Sequence, residues 1–358
     1  MQRLWLILKK ELICTKENII FNLATIASPL FFLAVFTFML SDGVSFPFNI
    51  PSHDADTAFV SSAAEFTAPN GINYMELVET DADISQEATH DALSVEEDLH
   101  YEDGVLHGKI VHYINDVNQN TLKNSRNRID GALVNFINNT RTSGNIGITE
   151  KTVYEEDIPW ATGFGVSILV FSIMLAGMFF GALSIICEYD NQTTTFLKLS
   201  PYPVGFVLGG KLLANLLKCT ISGSIYYIAY FLLFGHAVIE AGILILICLL
   251  GYIAFIGIGM LIGIALKVSV TAMIVSMGTA FALWILGGGF GPLSFFGKAA
   301  NLLASINPTT YMMNSIKWCF FGGTASVQLP ILVIVAFTAV TILVSCTIYT
   351  RWTAAQEG

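Results

Sequence analysis

The chain has 358 residues, of which 54% are hydrophobic and only 12% carry a charged side chain. Soluble domains contain about a quarter charged residues, so this composition excludes an ordinary soluble enzyme and favours a membrane protein. The formal net charge of −10 argues against a nucleic-acid-binding protein, because such proteins present a basic surface.

The acidic charge is concentrated in one segment. Residues 42–158 carry 21 acidic and 6 basic side chains, whereas the remainder of the chain carries 6 acidic and 11 basic ones. This segment is therefore predicted to be an acidic, water-exposed insert that is long enough to form a small core of its own. None of the six cysteines falls in the insert, which excludes a domain stapled by disulfides there.

Residues 1–18 have the pattern of an interfacial amphipathic helix that lies on a membrane surface. Leu4, Leu8 and Leu12 recur at helical spacing, and the basic side chains fall on other faces. An ordinary charged N-terminal tail is the alternative for this stretch. Residues 19–41 then supply transmembrane helix 1, since a run of about 20 apolar residues spans a bilayer.

The insert is predicted to be a small α/β extracytoplasmic domain between transmembrane helices 1 and 2. Strand-like patterns occupy residues 73–78 and 109–114, and a helical pattern occupies residues 120–139. The acidic run from Glu96 is typical of a solvated face, because the spacing of a calcium loop is absent. His107 and His112 leave a zinc site open as an alternative, although no metal site is assigned.

Five more apolar runs predict transmembrane helices 2–6 within residues 159–358. They cover residues 160–187, 212–235, 242–266, 269–290 and 330–350. The intervening segment 291–329 is too long and apolar for a simple loop. Its two short helical patterns, broken by Asn307 and Pro308, predict an outer re-entrant hairpin. The fold class is thus a polytopic α-helical membrane protein with six transmembrane helices.

The distribution of lysine and arginine predicts the orientation of the chain. Residues 1–18 contain four basic residues, the loop 188–211 contains two and the residues after 350 contain one, whereas the loop 236–241 contains none. Cytoplasmic loops carry an excess of these residues. Both termini are therefore expected in the cytoplasm, with the chain multi-pass in the cytoplasmic (plasma) membrane and residues 42–158 outside.

No catalytic motif is recognisable in the sequence. Gly209-Gly210-Lys211 lacks the spacing of a phosphate-binding P-loop, and neither a Gly-x-Ser-x-Gly nor a His-Glu-x-x-His pattern occurs. The chain is therefore predicted not to be an enzyme and to bind no cofactor itself. If it moves a solute against a gradient, the energy must come from another chain.

The loop after the second predicted span has a distinctive order of residues, which are Glu188, Asp190, Thr193, Leu197, Ser200, Pro201, Gly210 and Lys211. In this order and spacing it resembles the loop of the permease subunits of type-2 ABC exporters. That family's loop runs approximately Glu-Arg-Glu-x-Gly-Thr-Leu-Glu-Leu-Leu-x-x-Thr-Pro, with Gly-Lys nine residues after the proline. Gln192 and Thr195 depart from the pattern, and the second departure removes a family glutamate.

A second likeness lies near the end of the chain. The sequence from Asn307 to Tyr311, followed by Lys317, is similar to the family's Pro-x-x-Tyr segment in the outer hairpin. The resemblance implies an outer-hairpin role for Pro308, Tyr311 and Lys317. The order of the spans around the insert also matches the family. The resemblance therefore covers residues 1–41 and 159–358.

The resemblance also implies partners. A cytoplasmic coupling helix, residues 188–201, would dock on a separate ABC ATP-binding subunit, present in two copies and holding ATP and Mg. A second permease copy would complete the translocation path as a homodimer or a related heterodimer. The implied ATPase-coupling residues are Glu188, Asp190, Thr193, Leu197, Pro201 and Lys211, and the two carboxylates would face basic residues of the partner.

A different class of function also fits the sequence. A membrane receptor or anchoring protein would equally use an acidic ectodomain, but it explains the five further spans less easily. The polar points expected along a permease's path are few, and they suit a lipid-like or amphipathic cargo better than a free ion. These points are Asn22, Ser172, Ser222, Ser224 and Tyr226.

Overall fold

The computed structural model describes most of the chain in two units. The described residues are 7–11, 13, 19–39, 46–67, 73–81, 91–102, 105–113, 119–140, 160–193, 204–291, 297–322 and 327–355. One compact unit joins residues 1–39 to 153–358, and the other comprises residues 40–152.

Six helices of the described residues are long and apolar enough to cross a membrane, as the sequence predicts. They are α1 (Ile19–Met39), α4 (Trp160–Asp190), α5 (Val204–Phe234), α6 (Ala241–Leu266), α7 (Ser269–Leu286) and α10 (Gln328–Ala355). The third starts eight residues earlier than predicted, because Gly209 and Gly210 lie inside it rather than in a loop.

Helix α4 is the centre of the bundle. Every residue of its most apolar stretch is buried inside the protein, in contrast to about a quarter of the corresponding stretch of α5. Its closest neighbour is α6, where glycines remove the side chains that would keep the backbones apart. A Cβ at Gly181 would lie 2.3 Å from the carbonyl oxygen of Ile256, and one at Gly259 would lie 2.2 Å from that of Met178. Close backbone contacts of this kind are the usual role of small residues in membrane helices.

Two short helices occupy the segment between α7 and α10. They are α8 (Lys298–Ile306) and α9 (Pro308–Phe321), close to the predicted pair. Asn307 caps α9 by accepting a hydrogen bond from the Thr309 backbone N–H, and Pro308 takes the first helical position. The Asn307 amide also donates to the Leu283 carbonyl at 2.8 Å, which ties the hairpin to the end of α7.

The insert contains a four-stranded sheet covered by helices. Its elements are β1 (Phe46–Pro51), α2 (Ala58–Ala64), β2 (Met75–Thr80), β3 (Asp91–Glu102), β4 (Val105–Tyr113) and α3 (Gln119–Thr140), and the strand order is β2-β1-β3-β4. Strands β1 and β2 are parallel, as are β1 and β3, whereas β3 and β4 form an antiparallel hairpin. Phe48, Phe59, Leu93 and Phe136 lie in the core of this unit.

The zinc alternative based on His107 and His112 is wrong. The two residues are five apart on β4, so their side chains leave opposite faces of the strand. His107 is exposed, whereas His112 is largely buried and its Nε2 lies 3.1 Å from the Asp91 carboxylate. The structure therefore separates the two imidazoles that the sequence left as a possible pair.

Candidate functional site

A buried lysine lies at one end of the helical bundle. Lys211, in the second turn of α5, is fully buried, yet its ammonium group has three partners. Its Nζ lies 2.6 Å from Glu11 Oε1 and 2.7 Å from Glu188 Oε1, and it donates to the Ser184 carbonyl oxygen at 2.8 Å. An ammonium group has three donors, so all of its hydrogen-bonding capacity is used.

Glu188, near the end of α4, is the second centre of this cluster. Its side chain is 2% exposed, and both carboxylate oxygens accept hydrogen bonds from Lys10 Nζ at 2.7 Å. The hydroxyl of Thr193 donates to the same carboxylate from the turn that follows α4. We call Lys10, Glu11, Glu188 and Lys211 the charge cluster; its two cations and two anions cancel.

The N-terminal helix, which comprises residues 7–11 and 13, joins the cluster by one face. Ile7 and Glu11 are four residues apart, so they lie one above the other on a helix. Ile7 packs against Gly210, where an added Cβ would lie 2.7 Å from its Cγ2, and Glu11 meets Lys211 one residue further on. This face therefore fits the start of α5 by shape and by charge together.

Aromatic residues extend the same end of the bundle to the C-terminal helix. Trp352 Nε1 in α10 donates to the hydroxyl of Tyr189 at 2.5 Å, and its ring lies 5.4 Å from that of the buried Tyr349. Lys267, in the turn between α6 and α7, places its Nζ 5.3 Å from the centre of the Tyr189 ring. The ends of α4, α6 and α10 thus meet beside the charge cluster.

Such a cluster makes a rigid mechanical link. Removing a charge from water costs free energy, and in this cluster the cost is offset only while every charged partner keeps its position. Displacing the N-terminal helix from α5 would remove Glu11 from Lys211 and Lys10 from Glu188, which would leave the two remaining groups buried with fewer partners. The N-terminal helix, the end of α4 and the start of α5 are therefore expected to move as one body.

Comparison with known proteins identifies the family. The family model described as ABC-2 family transporter protein matches residues 20–347, which is nearly the whole chain. The chain belongs to the ABC-2 transporter family. No curated protein and no solved structure matches it. Membership makes the chain a membrane permease component of an ABC transporter, and it implies pairing with an ABC ATP-binding subunit.

The structure places the predicted coupling residues of the permease unequally. Asp190 is exposed beyond the cluster, while Glu188 and Lys211 are buried within it. The expectation that the Glu188 carboxylate faces a basic partner is therefore corrected, since its charge is satisfied inside the chain. Leu197 and Pro201, with most of the predicted coupling helix 188–201, lie outside the described residues.

Sequence analysis missed Lys10 and Glu11 as members of the site. A signal was present, since Glu11 is seven residues after Leu4 and three after Leu8, on the apolar face of the N-terminal pattern. A carboxylate on an apolar face requires a buried cation. Lys211, surrounded in sequence by glycine and leucine, was the matching signal on α5.

The residues implied for the outer hairpin of the permease lie together on α9. Pro308 begins this helix, and the Tyr311 hydroxyl donates to the Ser305 carbonyl oxygen at 2.8 Å, which fastens α9 to the end of α8. Lys317 lies further along α9 and is half-buried. Tyr311 and Pro308 thus shape the turn between the two short helices, whereas Lys317 is not part of that turn.

The polar points expected along a translocation path do not form one surface. Ser172, Ser222 and Tyr226 are buried in the bundle, and the Tyr226 hydroxyl donates to the Gly165 carbonyl oxygen at 2.8 Å. Ser224, by contrast, opens onto a groove of about 450 Å³ between α5 and α6. The groove walls are almost entirely apolar and include Ile228, Leu244 and Ile245, together with Tyr227 and Tyr252.

Proposed function

We propose that this permease drives export by receiving force from a separate ATP-binding subunit through the segment 188–201. The path is formed between two permease copies, and ATP and Mg are bound by two copies of the partner. The resemblance of the loop 188–211 to those of type-2 ABC exporters supports the direction of transport. The permease itself supplies no chemistry and only transmits movement.

The charge cluster is the observation on which this proposal rests. It lies at the base of α4 and α5, each of which has 31 residues and extends about 46 Å at about 1.5 Å per residue. The exposed residues Asp190 to Gln192 continue directly from the buried Glu188. A push on this turn would therefore move both long helices together with the N-terminal helix.

The proposal includes an orientation. The end of the bundle that contains Lys10, Lys211 and Lys267 faces the cytoplasm of a plasma-membrane permease, and residues 42–158 lie outside. The excess of basic residues at this end supports the assignment. Single cysteines introduced at Asn191 and Glu240, both exposed, test it with a membrane-impermeant maleimide on intact cells. Labelling of the residue 191 cysteine and protection of the residue 240 cysteine would overturn the orientation.

The docking claim is tested by reversing exposed charge. The permease is co-expressed with a candidate ABC ATP-binding subunit, and co-purification and ATPase stimulation are measured. Asp190→Lys with Gln192→Lys should reduce stimulation at least tenfold, whereas Glu240→Lys, at the opposite end of the bundle, should leave it unchanged. Gel filtration confirms that each variant is folded. Unchanged stimulation by the doubly substituted variant would refute docking at this turn.

A further inference from the structure

An exposed pair of histidines faces outward from the β3–β4 hairpin of the insert. His100 and His107 are direct partners in the antiparallel register, and their ring centroids are 6.0 Å apart with an interplanar angle of 30°. Side chains of directly opposed residues leave the same face of a sheet. Leu99 and Leu106 instead pack against the core of the insert, so the neighbouring side chains hold the hairpin while the imidazoles stay in solvent.

The backbone beside the pair has an irregular strand register, and this register places His100 opposite His107. The register shifts between Glu97 and His100, which is the signature of a β-bulge. Gly108 lies opposite with a φ of +135°, and a Cβ there would be 2.6 Å from Leu99 Cδ2 and 2.9 Å from the Asp98 carbonyl oxygen. Only glycine fits this close approach, which brings the bulge against β4 beside His107.

The bulge also sets the tautomer of His100. The Nδ1 atom of His100 lies 2.9 Å from the Asp98 carbonyl oxygen. A carbonyl oxygen can only accept a hydrogen bond, so Nδ1 carries the proton and the neutral ring keeps a lone pair on Nε2. Histidines that bind metals commonly use this arrangement, in which a backbone carbonyl orients the ring and increases its basicity.

From this geometry we propose that His100 and His107 bind a divalent transition-metal ion that favours imidazole, such as Cu²⁺, Ni²⁺ or Zn²⁺. Two rings that share an ion at about 2.0–2.1 Å from each nitrogen have centroids about 5 Å apart at a tetrahedral angle, so a small rotation of the exposed His107 side chain suffices. The described residues contain no group of three or more potential ligands, so water completes the coordination.

The charge beside the pair is compatible with a cation. Lys109 is two residues from His107 on β4, but its Nζ is held by the Glu96 carboxylate at 2.5 Å. The exposed carboxylates of Glu97 and Asp98 lie on the strand that presents His100. The local excess of negative charge therefore favours binding of a divalent cation. The carboxylates of Glu97 and Asp98 are not themselves the proposed ligands.

Copper is the probe that tests the site, because its electron paramagnetic resonance spectrum counts bound nitrogens. The full chain is purified through a tag without histidine and titrated with Cu²⁺. The wild type should bind one ion through two imidazole nitrogens, and His100→Gln or His107→Gln should leave one nitrogen and weaken binding at least tenfold. His53→Gln, which removes another exposed imidazole of the insert, should change neither quantity.

Two results would overturn the proposal. One is a wild-type spectrum with fewer than two imidazole nitrogens, and the other is binding that neither His100→Gln nor His107→Gln weakens. Both substitutions are on exposed side chains, so loss of folding is not expected, and the hydrogen-exchange pattern of β3 and β4 checks this. The test is independent of transport, so its failure would leave the proposed export function untouched.

Discussion

Lys211 Nζ lies 2.6 Å from Glu11 Oε1, although the two residues are 200 positions apart in the chain. Both side chains are buried, with at most 2% of their surface exposed. A contact of such long range cannot form until the membrane helices have assembled, and it then fixes where the N-terminal helix lies. The stability of this end of the bundle and the proposed transmission of force thus depend on the same pair of atoms.

Replacing Lys211 by methionine should destabilise the permease strongly. The substitution keeps the apolar length of the side chain but leaves Glu11 and Glu188 buried with one cation fewer, which costs about 3–5 kcal/mol in comparable buried pairs. Unfolding of the purified chain by SDS, followed by tryptophan fluorescence, measures the loss. Lys218→Met, on the same helix, should cost less than about 1 kcal/mol. The Lys218 Nζ lies 5.4 Å from the centre of the Phe180 ring, and a cation–π contact of this kind contributes less than a buried ion pair.

A compensating substitution distinguishes charge balance from lost packing. Glu11→Gln combined with Lys211→Met restores neutrality, since Lys10 then pairs with Glu188 alone. The double variant should be more stable than Lys211→Met by about 1–3 kcal/mol, the range of coupling between residues in contact. A double variant that is as unstable as the sum of its single changes would contradict the charge-cluster account.

The membrane part was predictable because its signals are local. A run of apolar residues identifies a span without knowledge of its neighbours, and Asn307-Pro308 marks the break between α8 and α9 by its own chemistry. The charge cluster is different, since Glu188 reads as a membrane-edge carboxylate until Lys10 and Lys211 are seen around it. Burial of a charge depends on partners that are distant in sequence.

The insert was harder to predict for a related reason. Its strand β1 reads Phe-Pro-Phe-Asn-Ile-Pro, and two prolines in six residues argue against a strand at the centre of a sheet. Strand β3 contains the run Glu96-Glu97-Asp98, which resembles a solvated loop, yet it forms the exposed arm of a hairpin. Pairing with β4 and β2 overrides these local preferences, and such pairing is not visible along one strand.

Crowding the crossing of α4 and α6 should destabilise the bundle. In Gly259→Ala the new methyl group would lie 2.2 Å from the Met178 carbonyl oxygen, so the helices must separate, at a cost of about 1–3 kcal/mol. Gly278→Ala is the matched control, because among the described residues no atom beyond its own stretch of α7 lies within 4 Å of the new Cβ. The same SDS titration should show the first variant less stable and the second unchanged or slightly more stable; equal behaviour of the two would contradict the close packing.

Arg128 should stabilise the insert by more than its positive charge alone, so that a lysine of the same charge cannot replace it. It donates to the Tyr74 carbonyl oxygen, and its guanidinium carbon lies 5.3 Å from the centre of the Tyr74 ring, while burial lowers the pKa of this arginine. Lysine cannot reproduce a planar group that stacks and donates together, so Arg128→Lys should cost about 1–2 kcal/mol. Hydrogen exchange of the full chain should be faster in β2, whereas Arg126→Lys, at an exposed position, should leave it unchanged.

Asn215 should be replaceable by leucine with a gain in stability. Its amide is completely buried one turn beyond Lys211, and neither its nitrogen nor its oxygen has a hydrogen-bond partner among the described residues. An unsatisfied buried polar group costs about 1–3 kcal/mol, which leucine of similar size would recover. The SDS titration should therefore show Asn215→Leu to be the more stable protein, and a lower stability would mean that the amide is satisfied after all. If stability rises while ATPase stimulation falls, the amide finds its partner in a different state of the transport cycle, one turn away from the lysine that holds the N-terminal helix.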